Sequence, residues 1–401
     1  MKYYKRAIEA TVLGCLKSFP GVVLTGPRQS GKSTLLRHLF PHYQYLTFDD
    51  VSSVDFAKTD PKLFLDNLDG KFILDEIQYC PEILPYLKIK IDENPQVFGR
   101  YILTGSQQFS MMKNLSETLA GRIAILELLS FSSLEKENIK PEQKSLNLFV
   151  KSCVNGSYPA LLLKRNQADR NNWYKSYLGT YLERDIKNYF GVGNVLQFHK
   201  LLQLLAGRCG QILNYSDLAA SIGVAVPTIQ NWVSVLISSK IVYLLKPYYE
   251  NFGKRVIKSP KVYFLDSGFL CYLLGLETKT QIFQSYLAGN IFENFCVEET
   301  IKTILNAGQR DNVYYVRTAN QLEVDLLIEI RGQVIPVEFK MSMTKKSEMS
   351  DSIKRFRELF AKLNTGKGLV VSLDDETQSV KDADYLGFHE YANLLKKKIR
   401  V

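Results

Sequence analysis

Residues 26–33 read Gly26-Pro27-Arg28-Gln29-Ser30-Gly31-Lys32-Ser33, entered from the apolar run Val22-Val23-Leu24-Thr25 and followed by Thr34-Leu35-Leu36-Arg37. The spacing is G-x-x-x-x-G-K-S between a strand-forming run and a helix-forming one. Such a loop turns its backbone N–H groups inward around phosphates, while Lys32 reaches the β and γ oxygens and the Ser33 hydroxyl ligates magnesium. The reading is therefore a nucleoside triphosphate site, with ATP and Mg2+ as its ligands and residues 26–34 as its cradle.

A second apolar run, Lys71-Phe72-Ile73-Leu74, ends in Asp75-Glu76 and looks like a Walker B segment. Asp75 would hold magnesium and Glu76 would polarise the attacking water as general base, which favours a hydrolase over a passive binder. A third run, Arg100-Tyr101-Ile102-Leu103-Thr104, leads into Gly105-Ser106, where Ser106 would sense the γ-phosphate between the other two motifs. Leu119-Ala120-Gly121-Arg122 then precedes the strand-like Ile123–Leu126. Arg122 would stabilise transition-state charge as a finger, in its own chain or in a neighbour's site, unless it is an ordinary surface arginine.

The chain has 401 residues, 46% of them hydrophobic, so it can bury large cores and divide into several domains. No stretch approaches the ~18 continuous apolar residues of a membrane helix, and the start, Met1-Lys2-Tyr3-Tyr4-Lys5-Arg6, lacks the apolar core of a signal peptide. Cys15, Cys80, Cys153, Cys209, Cys271 and Cys296 stand far apart without a C-x-x-C pair. Idle thiols in a reducing, cytoplasmic setting are expected, with no membrane partner.

Charge is unevenly spread. Residues 151–260 hold fourteen Lys or Arg against five Asp or Glu, a surplus of nine within the chain's net +10. Clustered cations release counterions from nucleic-acid phosphates, so DNA is the expected partner. Within this stretch Leu201–Ala206, Ser216–Ser221 and Val226–Leu236 read as three short helices, with Gly223 between the last two and Ile241–Pro247 as a following strand. This spacing resembles a winged helix-turn-helix, which places Thr228, Gln230 and Asn231 near the front of a recognition helix. Such folds also dock proteins, and this helix carries no Lys or Arg before Lys240. A protein partner therefore stays open.

The last third alternates strand and helix patterns. Asn290–Phe295 opens a helix, and strands follow at Val313–Arg317, Leu322–Ile328 and Gln333–Lys340. Asp325 on one strand, Glu338 and Lys340 two residues apart on the next, and Glu293 on the helix resemble the core of PD-(D/E)xK nucleases. The resemblance implies Glu293, Asp325 and Glu338 as magnesium ligands and Lys340 as the residue that positions the hydrolytic water. Val324 stands where the motif has proline, and inactive nuclease-like domains also serve as binding modules.

Taken with Tyr181-Leu182-Glu183-Arg184-Asp185-Ile186 and Asn290-Ile291-Phe292-Glu293-Asn294, these motifs make nearly the whole chain similar to prokaryotic AAA-type ATP-binding proteins with a C-terminal DUF4143 domain. The resemblance implies an α/β protein in three parts: a P-loop AAA-type parallel-sheet domain at 1–145, a helical and winged-helix region at 146–255, and a restriction-endonuclease-like α/β domain at 256–401. Two functions stay open. One is an ATP-gated DNA nuclease of defence or mobile-element biology; the other is an ATP-dependent switch whose nuclease-like domain only docks DNA or a protein. A homo-oligomer is expected if Arg122 acts in trans.

Overall fold

The computed structural model describes residues 3–68, 70–106, 118–163, 166–182, 195–248, 259–318 and 322–400. The chain forms two compact units. The first comprises Met1–Phe131 with Ser238–Lys240 and Leu305–Gly308; the second comprises Ser132–Ile237, Ile241–Ile304 and Gln309–Val401.

The first unit is built on five strands: β1 (Gly21–Gly26), β2 (Gln44–Thr47), β3 (Phe72–Asp75), β4 (Tyr101–Ser106) and β5 (Ile123–Glu127). They lie in the order β2-β3-β4-β1-β5 and every pair is parallel. Parallel strands are covered on both faces, which explains their near-continuous apolar runs. Strand alternation divides the runs. Val22 and Leu24 pack with Leu35 and Leu36 on one face, while Val23 packs with Leu84 and Leu87 on the other. Insertion of β4 between β1 and β3 brings the C-terminal ends of all three together.

The second unit opens with helices, including Ser145–Asn155, and then carries Val195–Gly207, Tyr215–Ile222 and Val226–Ser238. Asn214 caps the second of these three by accepting the Asp217 N–H at 3.1 Å. Gly223 ends it with φ of 80°, a left-handed conformation suited to glycine, and the third leaves at a bend of 107°. Ile229, Trp232, Val233 and Leu236 face inward, whereas Gln230 and Asn231 are exposed and Thr228 is half-buried.

Strands β6 (Val242–Pro247) and β7 (Lys261–Phe264) pair antiparallel. The sheet continues through β8 (Val313–Arg317), β9 (Glu323–Ile330), β10 (Gln333–Lys340), β11 (Gly368–Ser372), β12 (Gln378–Ser379) and β13 (Ala383–Gly387), in the order β12-β13-β11-β10-β9-β8-β6-β7. Helix Ala288–Asn306 is buried over much of its length, through the apolar Ile291, Phe292, Phe295 and Cys296 and through polar and charged residues such as Asn294, Glu298 and Lys302. Among the described residues no single helix is long and apolar enough to cross a membrane.

Candidate functional site

The first site forms where β1 meets helix Lys32–Leu39. Gly26 has φ of 145°, and a Cβ there would stand 2.1 Å from the Leu128 carbonyl oxygen, so no other residue fits without moving the loop. Gly31 caps the helix at φ of 95°, and Gln29 adopts φ of 60°. From the other side the buried Arg6 donates to Ser30 O at 3.0 Å and Leu129 O at 2.8 Å. These bonds tie the loop to the segment that follows β5.

Lys32 is buried and donates its Nζ to the loop carbonyls of Gly26, at 3.1 Å, and Pro27, at 3.0 Å. Burial lowers the pKa of its ammonium, while the nearby Glu76 and Asp75 carboxylates raise it and Arg28 lowers it again. Asp75 is buried at the end of β3, where Thr104 of β4 donates to its Oδ1 and the Tyr45 phenol of β2 donates to its Oδ2.

Glu76 follows in the left-handed region, at φ of 57° and ψ of 46°. A non-glycine residue held there stores of order 1–3 kcal/mol of strain, which surrounding structure must overcome and which concentrates at functional positions. Its Oε2 accepts from Gln78. Gly26 and Ser106 are register partners, so the Ser106 backbone ends beside the loop; its side chain lies outside the described residues. Thr34 is exposed on the first turn of the helix.

Arg122 is not brought to this site in its own chain. It precedes Ile123, the register partner of Gly21, and so stands at the N-terminal end of β1 while the loop follows the C-terminal end. There its Nε and Nη2 hold both carboxylate oxygens of Asp92, at 2.6 and 2.9 Å. Parallel pairing is the reason, because residues that precede parallel strands collect at one edge and those that follow them at the other. The cis finger expectation is corrected accordingly.

A second cluster lies in the second unit. Asp325 on β9 accepts the Phe339 N–H at 2.9 Å. Lys340 on β10 reaches Glu338 Oε2 at 2.6 Å and Asp325 Oδ2 at 3.8 Å. Glu338 is only 2% exposed, and its Oε1 is buried without a hydrogen-bond partner. Burial, and then repulsion from Asp325, push its carboxyl up to about 8 against the opposing pull of Lys340.

Glu293, from helix Ala288–Asn306, accepts the Tyr263 hydroxyl at 2.5 Å and Lys261 Nζ at 3.2 Å. Burial raises the Glu293 pKa, and Lys261 draws it back. Lys261 also pairs with Glu323 at 2.7 Å. Glu293, Asp325 and Lys340 share one open cavity of about 640 Å3. Among the described residues no group of three or more His, Cys, Asp or Glu is placed to hold a metal ion. In this cluster Lys340 pairs with Glu338 and Asp325, and Lys261 with Glu293 and Glu323.

Sequence reasoning missed Tyr45, Thr104, Lys261, Tyr263 and Arg6. Thr104 and Lys261 were visible as polar residues within apolar strands; Tyr45, Tyr263 and Arg6 carried no such signal. Glu183, Arg184, Asp185 and Ile186 lie outside the described residues.

The glycine loop, the acid pair ending β3 and the strand inserted between them define the first unit as an AAA-type P-loop ATPase fold. Residues 18–136 match the family described as AAA domain. Residues 146–280 and 288–391 match domains of unknown function, DUF8612 and DUF4143. Uncharacterized protein Rv2008c of Mycobacterium tuberculosis is 30% identical over 351 residues, spanning 87% of this chain and 76% of its own. Uncharacterized protein Mb2031c of Mycobacterium bovis gives the same values. The chain belongs to this family of AAA-domain proteins with a C-terminal DUF4143 domain. Among solved structures, the Walker-type ATPase PABY2304 of Pyrococcus abyssi is 17% identical with a TM-score of 0.44, over 68% of this chain and 96% of its own.

Proposed function

We propose that the chain binds ATP with magnesium at residues 26–34 and hydrolyses it with Glu76 as general base. The observation that carries this reading is the convergence of Lys32, Asp75 and Glu76 at the C-terminal ends of β1 and β3. Lys32 would exchange its two loop carbonyls for phosphate oxygens, and the strained Glu76 would orient water. Bound magnesium would be held by Ser33 and Asp75 and would neutralise charge on the phosphates. Arg122, at the opposite edge, would act only in a neighbouring copy's site, which makes a homo-oligomer part of the proposal.

Downstream, the parts at 146–255 and 256–401 would act on DNA. The basic charge of 151–260 and the three helices before β6 support a winged helix, and the cluster around Asp325 supports a nuclease-like site. The donors fit a hard cation: all are carboxylate oxygens, and the orphaned Glu338 Oε1 and its repulsion from Asp325 would be relieved by a divalent ion. In this arrangement Glu293, Asp325 and Glu338 are paired with Lys261 and Lys340 and form no ready three-ligand set. They would have to turn from those lysines to hold such an ion, and the ion would supply activation of water for phosphodiester hydrolysis. Lys340 would position that water. ATP would gate cutting.

The second reading, an ATP-dependent switch that docks DNA or a protein without cutting, is favoured by the lysine-paired acids and by the uncharged Gln230 and Asn231 face. Supercoiled and linear DNA incubated with magnesium or manganese, with and without ATP, would separate the two. Cleavage lost in Asp325→Ala establishes the nuclease, and its loss in Lys32→Ala establishes ATP gating. ATP hydrolysis without cleavage under any condition leaves the switch.

A further inference from the structure

The cavity shared by Glu293, Asp325 and Lys340 is not polar throughout. Phe283, Met341, Met343, Met349 and Leu373 line it as well. Three of the chain's six methionines therefore meet at one place, and unbranched thioether side chains adapt to irregular ligand surfaces. Water reaches this apolar lining, since Phe283 is 37% and Met343 54% exposed. Tyr286 is 89% exposed and lies in the chain between Phe283 and Ala288, both of which line the cavity. Lys279 stands one turn before Phe283 on helix Lys279–Gln284 and holds its ammonium 5.7 Å from the Phe283 ring centroid. Exposed aromatics and a cation thus alternate where the chain enters the cavity.

A phosphodiester bound at Asp325 and Lys340 carries a nucleoside on each side, so the apolar lining meets whatever flanks that bond. In a duplex the bases are turned toward the opposite strand and the flanking surface is charged backbone, which loses water against thioethers and a phenyl ring and gains no partner there. An unpaired strand leaves its bases free to stack on aromatic faces while lysines follow its phosphates. We propose that this cavity takes single-stranded DNA, with the bases beside the bound phosphodiester seated against Phe283, Tyr286 and the methionines. This rests on the reading of Glu293, Asp325, Glu338 and Lys340 as a phosphodiester site and adds the class of substrate. Recognition is by stacking and not by sequence: Asn290 Nδ2 donates to Cys209 O at 3.0 Å and Ser342 Oγ to Thr344 O at 2.7 Å, so the uncharged polar side chains of the lining are engaged within the protein.

The test measures fluorescence anisotropy of a fluorescein-labelled thymidine oligonucleotide, and of the same strand paired in a duplex, with the full chain in calcium at one fixed salt concentration. Wild type is compared with Phe283→Leu, which keeps apolar bulk against Phe149 and removes the aromatic face, and with Tyr286→Ser at a position too exposed to affect folding. Each variant should bind the single strand about fivefold more weakly or worse, the lower end of what stacking of one base contributes, with duplex affinity unchanged. Unchanged single-strand affinity in both variants, equal losses on single strand and duplex, or absence of single-strand binding by wild type overturns the proposal. Repeating the incubation in magnesium or manganese separates it from the nuclease reading. Duplex cleavage that needs Asp325 but is indifferent to Phe283 and Tyr286 keeps the nuclease and overturns the single-strand site. Single-strand binding that needs the two aromatics, with no strand cut, refutes the nuclease and leaves the site as a docking groove for unpaired DNA.

Discussion

Replacing Glu338 by glutamine should stabilise the second unit at alkaline pH and leave it nearly unchanged at acid pH. Burial and the neighbouring Asp325 raise the carboxyl from an ordinary glutamate's 4.5 to about 8. Between those two values the unfolded chain releases the proton while the folded one keeps it, so native stability falls as pH rises through the window. Above pH 8 the loss is complete. At about 1.4 kcal/mol per pH unit, the gap sets a ceiling of roughly 5 kcal/mol. Glutamine resembles the protonated carboxyl in shape and cannot ionise, so Glu338→Gln should escape most of the loss. Lys340 then loses an ionic partner, but it is partly exposed and near Asp325, so that cost is small. Urea unfolding of both proteins at pH 5 and pH 9 provides the measurement. A stability gain of about 2 kcal/mol or more at pH 9, with less than about 0.5 kcal/mol at pH 5, is the expected outcome. Equal effects at the two pH values, or destabilisation at pH 9, would show that Glu338 is ionised and satisfied in the native protein.

Three further changes probe other parts of the molecule. Glu76→Gln should preserve nucleotide affinity while slowing hydrolysis about 100-fold or more, as expected when a general base is removed; single-turnover kinetics beside a binding titration would reveal either departure. Gly26→Ala forces a Cβ to within 2.1 Å of the Leu128 carbonyl and should lower both stability and nucleotide affinity, by about 2 kcal/mol or more in unfolding free energy. Lys302→Met removes a fully buried ammonium that pairs with Glu298 and, at 3.6 Å, with Glu299. Stranding those carboxylates should cost about 3–5 kcal/mol in denaturant unfolding, and a neutral result would show that the acids are protonated in the native state.

Much of the phosphate site was legible because its chemistry is local. Eight consecutive residues carry the loop, and its glycines Gly26 and Gly31 answer to conformations that the structure shows directly, at φ of 145° and 95°. The acid pair was readable because an apolar strand that ends in two carboxylates has few other uses. In the second unit, Glu338 and Lys340 were assignable to neighbouring positions on one strand by alternation alone. The partners were not legible. Lys261 and Tyr263 lie about thirty residues before Glu293, and no periodic pattern links a strand to the helix that covers it.

Sequence alone determined the element types and the loop, since turns, strands and helices answer to residues within a few positions of one another. Tertiary structure decided which elements became neighbours. It placed β4 between β1 and β3 and so gave Asp75 its Thr104 partner, and it set β2 beside β3 so that Tyr45 covers the same carboxylate. It also carried Arg122 to the far edge of the sheet and joined β6 to β8 in a single sheet across the middle and last thirds of the chain. Strand order and register depend on burying both faces of a whole sheet at once. That is a condition on distant segments together, which no local stretch of residues expresses.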